Sequence, residues 1–368
     1  MSFKTKNIVL TVLMAVLLLG FFGWNLAKEE IEVSESERRA LAKFPELTLE
    51  TVLSGEFTKE FETFTLDQFP MRDTFRSIKA ICSHYIFMNM DNNDVFVTDG
   101  HISKLEYPLK DAMVSNAAEK FNNVYEMMIK DSSANVYLSV IPDKNMFLAA
   151  ESGHLMLDYE ELAEYMQSEM EYAEYIDIMP LLSADDYYFT DSHWRQENII
   201  DVADKITQEM NVPFSDDFTV NTVDNPFYGT YYGQAALPLK PETIYYLTND
   251  ATENCTVYSY DTGMPEKVPV YNMENANGRD PYEMFLSGNQ ALLVIENPLA
   301  ETDKELVIFR DSFGSSLTPL IIQSYSKITV VDIRYVYPQL LKNMVKFDGA
   351  DVLFIYSTVL LNNSTGLR

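Results

Sequence analysis

Apolar and polar positions along this chain fall into blocks of different period, and the first block has no polar period at all. Residues 8–24, IVLTVLMAVLLLGFFGW, carry no charge, and Thr11 is their only hydroxyl. As a helix such a run spans about 25 Å, enough to cross a bilayer with help from its flanks. Lys4 and Lys6 precede it, while Glu29, Glu30 and Glu32 follow soon after Lys28, which favours a cytoplasmic N-terminus with the rest of the chain outside. A cleaved secretory signal shares the basic and apolar regions, but no convincing A-x-A site follows. The expectation is a cytoplasmic segment 1–7 and a transmembrane anchor 8–27, in a single-pass protein of the cell membrane whose C-terminal domain is extracytoplasmic.

Residues 28–90 then follow a helical period broken at Pro45 and Gly55, with Ser34 and Glu37 placed as a capping pair. They read as a helical lead-in. Phe69-Pro70, followed by Arg72 and Asp73, reads as a fixed turn, or more plainly as a helix breaker beside a surface ion pair. VFVTDGHISKL predicts a hairpin around Asp99-Gly100. Beyond it the period alternates: an amphipathic helix over 111–130, a buried strand NVYLSVI ended by Pro142, a helix over 159–173, the strand EYIDIMP, and a helix over 195–210. Repeated helix and strand imply an α/β domain, 91–368, with a mostly parallel sheet flanked by helices. Between about 211 and 289 prolines, glycines and tyrosines interrupt short β-prone runs, the pattern of a hairpin-rich insertion. ALLVIEN, ELVIFRD, KITVVDIR and DVLFIYS supply the last strands, with helices near 316–323 and 338–345.

Composition narrows the partners. A formal charge of −29 with no basic block disfavours nucleic acid, whose phosphates this surface repels. The apolar fraction of 47% argues for a folded chain. Cys82 and Cys255 form no C-x-x-C motif, and their pairing in an oxidising compartment is not readable from spacing. The four histidines, His84, His101, His154 and His193, have no metal-ligand spacing, so no metal and no cofactor is expected.

Two stretches carry candidate chemistry. In ELVIFRDSFGSSLTPL an apolar strand breaks at Asp311-Ser312 and a helix follows. A serine in such a turn projects beyond the sheet edge, and the backbone N–H groups near Ser312 and Gly314 face any oxyanion formed beside it. The match to G-x-S-x-G is partial, because Arg310 stands where the first glycine belongs. The plainer alternative is a helix cap. In TDSHWRQ, Asp191 and His193 lie two residues apart, so both face one side of an extended turn; an aspartate there can fix the tautomer of a histidine that takes a proton from serine. Here too the alternative is a cap beside a satisfied histidine. Lys144, after the strand end at Pro142, and the aromatic Tyr228 are candidates for substrate contact, with a solvated loop and a hairpin core as their alternatives.

DSHW at 191–194, RDSFGSS at 310–316 and ITVVDIRY at 328–335 together resemble the DHHW family of bacterial membrane-anchored proteins, which is related to the SGNH-hydrolase-like proteins of alginate O-acetylation. ERRALAKFPELT, LDQFPMRD, VIPDK and FYGTYYGQA extend the resemblance over most of the chain beyond the anchor. It implies an SGNH-hydrolase-like fold in which Asp191 orients, His193 is the base and Ser312 the nucleophile. The first histidine of D-H-H-W is Ser192 here. The resemblance also implies Trp194 and Arg334 near substrate, although a structural ion pair is the simpler role for Arg334. The expected activity is transfer or removal of an acyl group, most simply acetyl, on a cell-surface glycan, with a multi-spanning membrane acyltransferase as partner. A catalytically silent glycan-binding or assembly scaffold on the same fold is the rival reading.

Overall fold

The computed structural model describes residues 2–342 and 344–368, and contacts divide it into two compact units: Met1–Asn92 with Tyr232–Leu239, and Asn93–Tyr231 with Lys240–Arg368.

In the first unit the apolar run forms one helix, Phe3–Ala27, followed by helices Leu49–Ser54, Glu56–Asp67 and Arg72–Ile81. Ser34 does not start a helix. It sits in a short antiparallel ribbon, Val33–Ser34 with Arg39–Ala40, because the Glu37 carboxylate that would close the capping box is held by Arg72 at 2.5 Å and Arg76 at 3.2 Å. Arg39 grips Asp67 through two hydrogen bonds of 2.8 and 2.6 Å, and these hold the Asp67 carboxyl down to about 2. The Phe69-Pro70 turn is present: Met71 takes a φ of 58° and the next helix begins at Arg72.

The second unit is built on a sheet of eight strands: β1 (Asn135–Ile141), β2 (Glu174–Tyr175), β3 (Thr256–Ser259), β4 (Glu266–Val268), β5 (Leu292–Glu296), β6 (Glu305–Arg310), β7 (Lys327–Val331) and β8 (Asp351–Ser357). Their order is β4-β3-β5-β7-β6-β8-β1-β2. From β7 to β2 all neighbours run parallel, whereas β5, β3 and β4 are added antiparallel. Every residue of β8 is buried, as a strand covered on both faces requires. The period of two then divides the apolar side chains between two cores. Leu306, Ile308, Leu353 and Ile355 face one, shared with Val202, Ile206, Leu317 and Leu320 of helices Ile200–Glu209 and Phe313–Ile321. Val307, Phe309, Val352 and Phe354 face the other, with Phe121 and Leu162 of helices Asp111–Val124 and Tyr159–Glu169. The mostly parallel α/β architecture expected from the sequence is present.

Several boundaries differ from expectation. The helix after residue 111 is α-helical to Val124 and finishes as a wider π turn, Tyr125–Ile129. EYIDIMP pairs only over Glu174–Tyr175, because a 3-10 turn with Pro180 begins at Met179. The stretch 211–289 contains the isolated ribbon Thr219–Thr222 with Tyr245–Thr248, but its other hairpin, β3-β4, joins the main sheet through β5. The Asp99-Gly100 hairpin forms as predicted, with both turn residues at positive φ. Cys82 and Cys255 are free thiols.

The parallel strands β1, β6 and β8 all end on one edge, where Ser357 N–H donates to Asp311 at 2.8 Å and Asp143 N–H to Thr358 at 3.1 Å. This edge is where loops of such sheets form sites. The central packing sets a stability test: Phe354, fully buried and stacked on Phe309 at 4.7 Å, leaves a cavity when truncated. Phe354→Ala is expected to destabilise the second unit by about 3–5 kcal/mol in chemical denaturation.

Candidate active site

Strand β6 ends at Arg310 and the helix begins at Phe313, leaving Asp311 and Ser312 in the turn. Asp311 is the cap. One of its carboxylate oxygens accepts from Phe313 N–H at 3.0 Å and the other from Ser357 N–H at 2.8 Å. The Ser312 side chain makes no capping bond, so its hydroxyl is left for another partner. That partner is His193, whose Nε2 lies 2.7 Å from Ser312 Oγ across 119 residues of sequence.

His193 comes from a loop folded back on itself: Tyr187 bridges Trp194 and Tyr188 N–H donates to the His193 carbonyl at 3.1 Å. At its far side the imidazole Nδ1 lies 2.6 Å from Asp191 Oδ1, which also accepts the His193 N–H at 3.0 Å. Asp191 Oδ2 accepts from Thr230, through the backbone N–H at 2.7 Å and the hydroxyl at 3.1 Å. Burial pushes this carboxyl up, but the neighbouring imidazole and these hydrogen bonds outweigh it and leave the acid well below the usual carboxylate range. An ionised Asp191 places the proton on Nδ1 and turns the Nε2 lone pair toward Ser312.

The loop is held from several sides. Lys144 is buried, and its Nζ donates to the carbonyls of Tyr188 at 2.8 Å and Phe189 at 3.1 Å. Glu242 accepts the N–H groups of Phe189 and Thr190 at 2.6 and 2.7 Å and the Thr190 hydroxyl at 2.7 Å. Gly229 donates to Thr190 Oγ1 at 2.9 Å, and a Cβ added there would lie 2.3 Å from the Thr190 carbonyl and 2.4 Å from Asp191 Cα. Tyr282 stacks on the His193 ring at 3.8 Å, and its hydroxyl is 2.8 Å from Ser316 Oγ. Ser316 also accepts from Trp194 Nε1 at 2.8 Å.

The structure therefore brings Asp191, His193 and Ser312 together and gives other residues different surroundings. Trp194 and Lys144 have almost no exposed surface, so neither reaches a substrate; one braces the first turn of the helix and the other the loop. Gly314 N–H donates to the Asp311 carbonyl at 3.1 Å and is not free for an oxyanion. The glycine is required by packing, since a Cβ there would lie 2.6 Å from Arg310 Cβ. Ser312 N–H, by contrast, has no acceptor among the described residues. Arg334 forms two hydrogen bonds with Asp332, at 2.9 and 2.6 Å, and the buried Arg310 reaches the same aspartate at 3.3 Å. Tyr228 is partly exposed.

Sequence reasoning missed Thr230, Glu242 and Tyr282 as parts of the site. FYGTYYGQA contained the first of these, but nothing local in PETIYYL or DPYEMF marks the other two, whose partners are 52 and 34 residues away.

No family model matches this chain, and no curated protein matches it. Solved structures do. A DHHW family protein from Eubacterium siraeum superposes with a TM-score of 0.59 over 75% of this chain and 95% of that one, at 23% identity. The chain shares that fold. Bacillus cereus PatB1, solved with a sulfonyl adduct, gives a TM-score of 0.57 over 74% of this chain and 96% of its own, at 16% identity. The O-acetyltransferase domain of Pseudomonas putida AlgJ is similar at a TM-score of 0.43, with 11% identity over 73% of this chain and 92% of that one.

Two outcomes test the supporting shell. Gly229→Ala is expected to destabilise the second unit by about 2 kcal/mol or more, because a methyl group there must displace backbone; thermal denaturation reads it. Burial pushes the Lys144 ammonium down to about 7, against the pull of Glu242, Asp191 and Asp143. The unfolded chain keeps that proton to the ordinary lysine value of 10.5, so between these values the unfolded state binds more protons and stability rises with pH through this group. Lys144→Met is expected to remove this contribution, which denaturation midpoints measured near either end of that window will show.

Proposed function

We propose that this chain is an extracytoplasmic serine acyltransferase or esterase that acts on acyl, most simply acetyl, groups of a cell-surface polysaccharide. The observation that carries the reading is the continuous relay from Asp191 through His193 to Ser312 Oγ. A serine hydroxyl is a weak nucleophile until a base removes its proton, and the base works only in the right tautomer. The spacing of Asp191, His193 and Ser312 supports both conditions.

In the proposed reaction Ser312 Oγ attacks the carbonyl carbon of an acyl donor and its proton passes to His193 Nε2. The backbone N–H of Ser312 faces the developing oxyanion. The bond from carbonyl carbon to leaving oxygen then breaks, and that oxygen takes the proton from His193, leaving an acyl ester on Ser312. A sugar hydroxyl, or water, repeats the sequence in reverse and frees the serine. The helix Phe3–Ala27 is compatible with a single-pass anchor or a signal sequence. Under the anchored form, a multi-spanning membrane acyltransferase is the partner that would deliver acyl groups, and Tyr228 offers an exposed aromatic face to a glycan.

The full chain, in detergent or vesicles, is expected to release acetate from p-nitrophenyl acetate. Ser312→Ala and His193→Ala are each expected to lower the rate by roughly a thousandfold or more. Hydrolysis indistinguishable from background in the folded parent chain, together with glycan binding that survives Ser312→Ala, would favour the silent scaffold instead.

A further inference from the structure

The helix Arg72–Ile81 leaves exposed the apolar stripe that a helix in water would bury. Its two arginines, Arg72 and Arg76, are drawn inward onto Glu37 at 2.5 and 3.2 Å, and Arg76 also donates to the Gly233 carbonyl at 2.7 Å, while Asp73 and Lys79 stay exposed. Met71, Phe75 and Ile78, spaced i, i+4, i+7, line the other side, and all three are exposed, Ile78 by half of its surface. A surface helix in water buries its apolar stripe and shows its charges. This one leaves its apolar stripe exposed and folds its two arginines inward. The exposed apolar surface continues into Tyr85, Ile86, Phe87 and Met88 beyond the helix, and onto Leu66 and Phe69 before it.

This face is continuous with the apolar helix Phe3–Ala27. Phe21, within the uncharged run, stacks on Phe69 with ring centroids 5.6 Å apart and meets Phe75 edge-on at 5.8 Å. Phe69 and Phe75 are themselves 5.7 Å apart. Between these elements lies an open groove of about 570 Å³, lined by Leu17, Leu18, Phe21, Phe22, Phe69 and Phe75 among others. Rings that touch Phe21 share the depth of the last turns of the apolar helix. When that helix spans a bilayer, these rings sit at the boundary between headgroups and acyl chains, where aromatic side chains concentrate.

We propose that residues 66–88 form a second membrane contact, an amphipathic collar lying in the bilayer interface beside the anchor, with lipid acyl chains occupying the groove against Phe21, Phe69 and Phe75. The occupant is lipid because the face continues an apolar helix long enough to cross a membrane, and because the two arginines of Arg72–Ile81 are drawn onto Glu37 and away from that face. The collar makes the anchor a two-point attachment. It does not depend on the enzymatic reading of the second unit.

The full chain is to be reconstituted in vesicles of phosphatidylcholine and phosphatidylglycerol containing a phosphatidylcholine with a photoactivatable diazirine in its acyl chain. After illumination, labelled positions are mapped by mass spectrometry. Label is expected within 8–25 and also within 66–88, with none at exposed apolar residues of the second unit such as Leu155 and Leu299. Ile78→Asp, at an exposed position, is expected to lower the label in 66–88 by roughly threefold or more while leaving 8–25 and the circular dichroism unchanged. Label confined to 8–25 overturns the collar and leaves the face to a protein partner. Absence of label from both segments overturns it as well, and shows that the apolar helix is not the anchor.

Discussion

The candidate site depends on keeping one aspartate charged where no water reaches it. Asp191 has no exposed surface, and an isolated carboxylate there would take up a proton. Five donors prevent this: the N–H and Nδ1 of His193, the N–H and hydroxyl of Thr230 and, at 3.5 Å, the hydroxyl of Ser192. Each must be presented at hydrogen-bonding distance, and much of the surrounding structure follows from that requirement. Gly229 is a glycine because the chain bearing Thr230 has to pass against the backbone of Thr190 and Asp191. Glu242 and Lys144 neutralise the N–H and carbonyl groups of the same loop from opposite sides, and so a loop with little regular structure of its own is held firmly enough to aim a histidine.

On the other side of the relay the sheet aims the serine. Parallel strands β6 and β8 end together, and Asp311 joins them by accepting from both the new helix and Ser357. Because Asp311 does the capping, Ser312 is spared it. Arg310 explains the departure from a glycine-flanked nucleophile turn. It is a buried arginine, paired with Asp332 and folded beneath the start of the helix, and it fills the space that a side chain at residue 314 would need. One glycine of the pattern is absent and the other is kept, for a single packing reason.

The fold was legible wherever one period dominated. ELVIFR and DVLFIYS read as covered strands because strands buried on both faces show unbroken apolar runs, and both lie at the centre of the sheet. EYIDIMP read too long, since an apolar run says nothing of where pairing partners stop. At the site, the local D-x-H and D-S-x-G spacings each left a helix cap open, and it was the resemblance of the two motifs to the DHHW family that marked Asp191, His193 and Ser312 together, since His193 and Ser312 lie 119 residues apart. Glu242 and Tyr282 were not, because an isolated acid and a tyrosine in a loop acquire their roles only from neighbours brought in by the fold. Trp194 lay in the right motif, yet its indole points into the core and braces Ser316, an orientation that spacing alone does not encode. The Arg72–Asp73 ion pair read beside Phe69-Pro70 is present at 3.5 Å, but the additional hold of Glu37 on Arg72 and Arg76 was not readable, because Glu37 is brought in only by the fold.

The central claim is that the relay activates Ser312 and no other hydroxyl. The most direct measurement is to expose the full chain briefly to an activated acetyl ester, quench with acid and locate the acetyl group by peptide mass spectrometry. The account predicts a single ester on the peptide containing Ser312 in the parent chain, and none on that peptide in Asp191→Ala. Acetyl groups found only on lysines, or an ester at Ser312 that forms equally without Asp191, would contradict it.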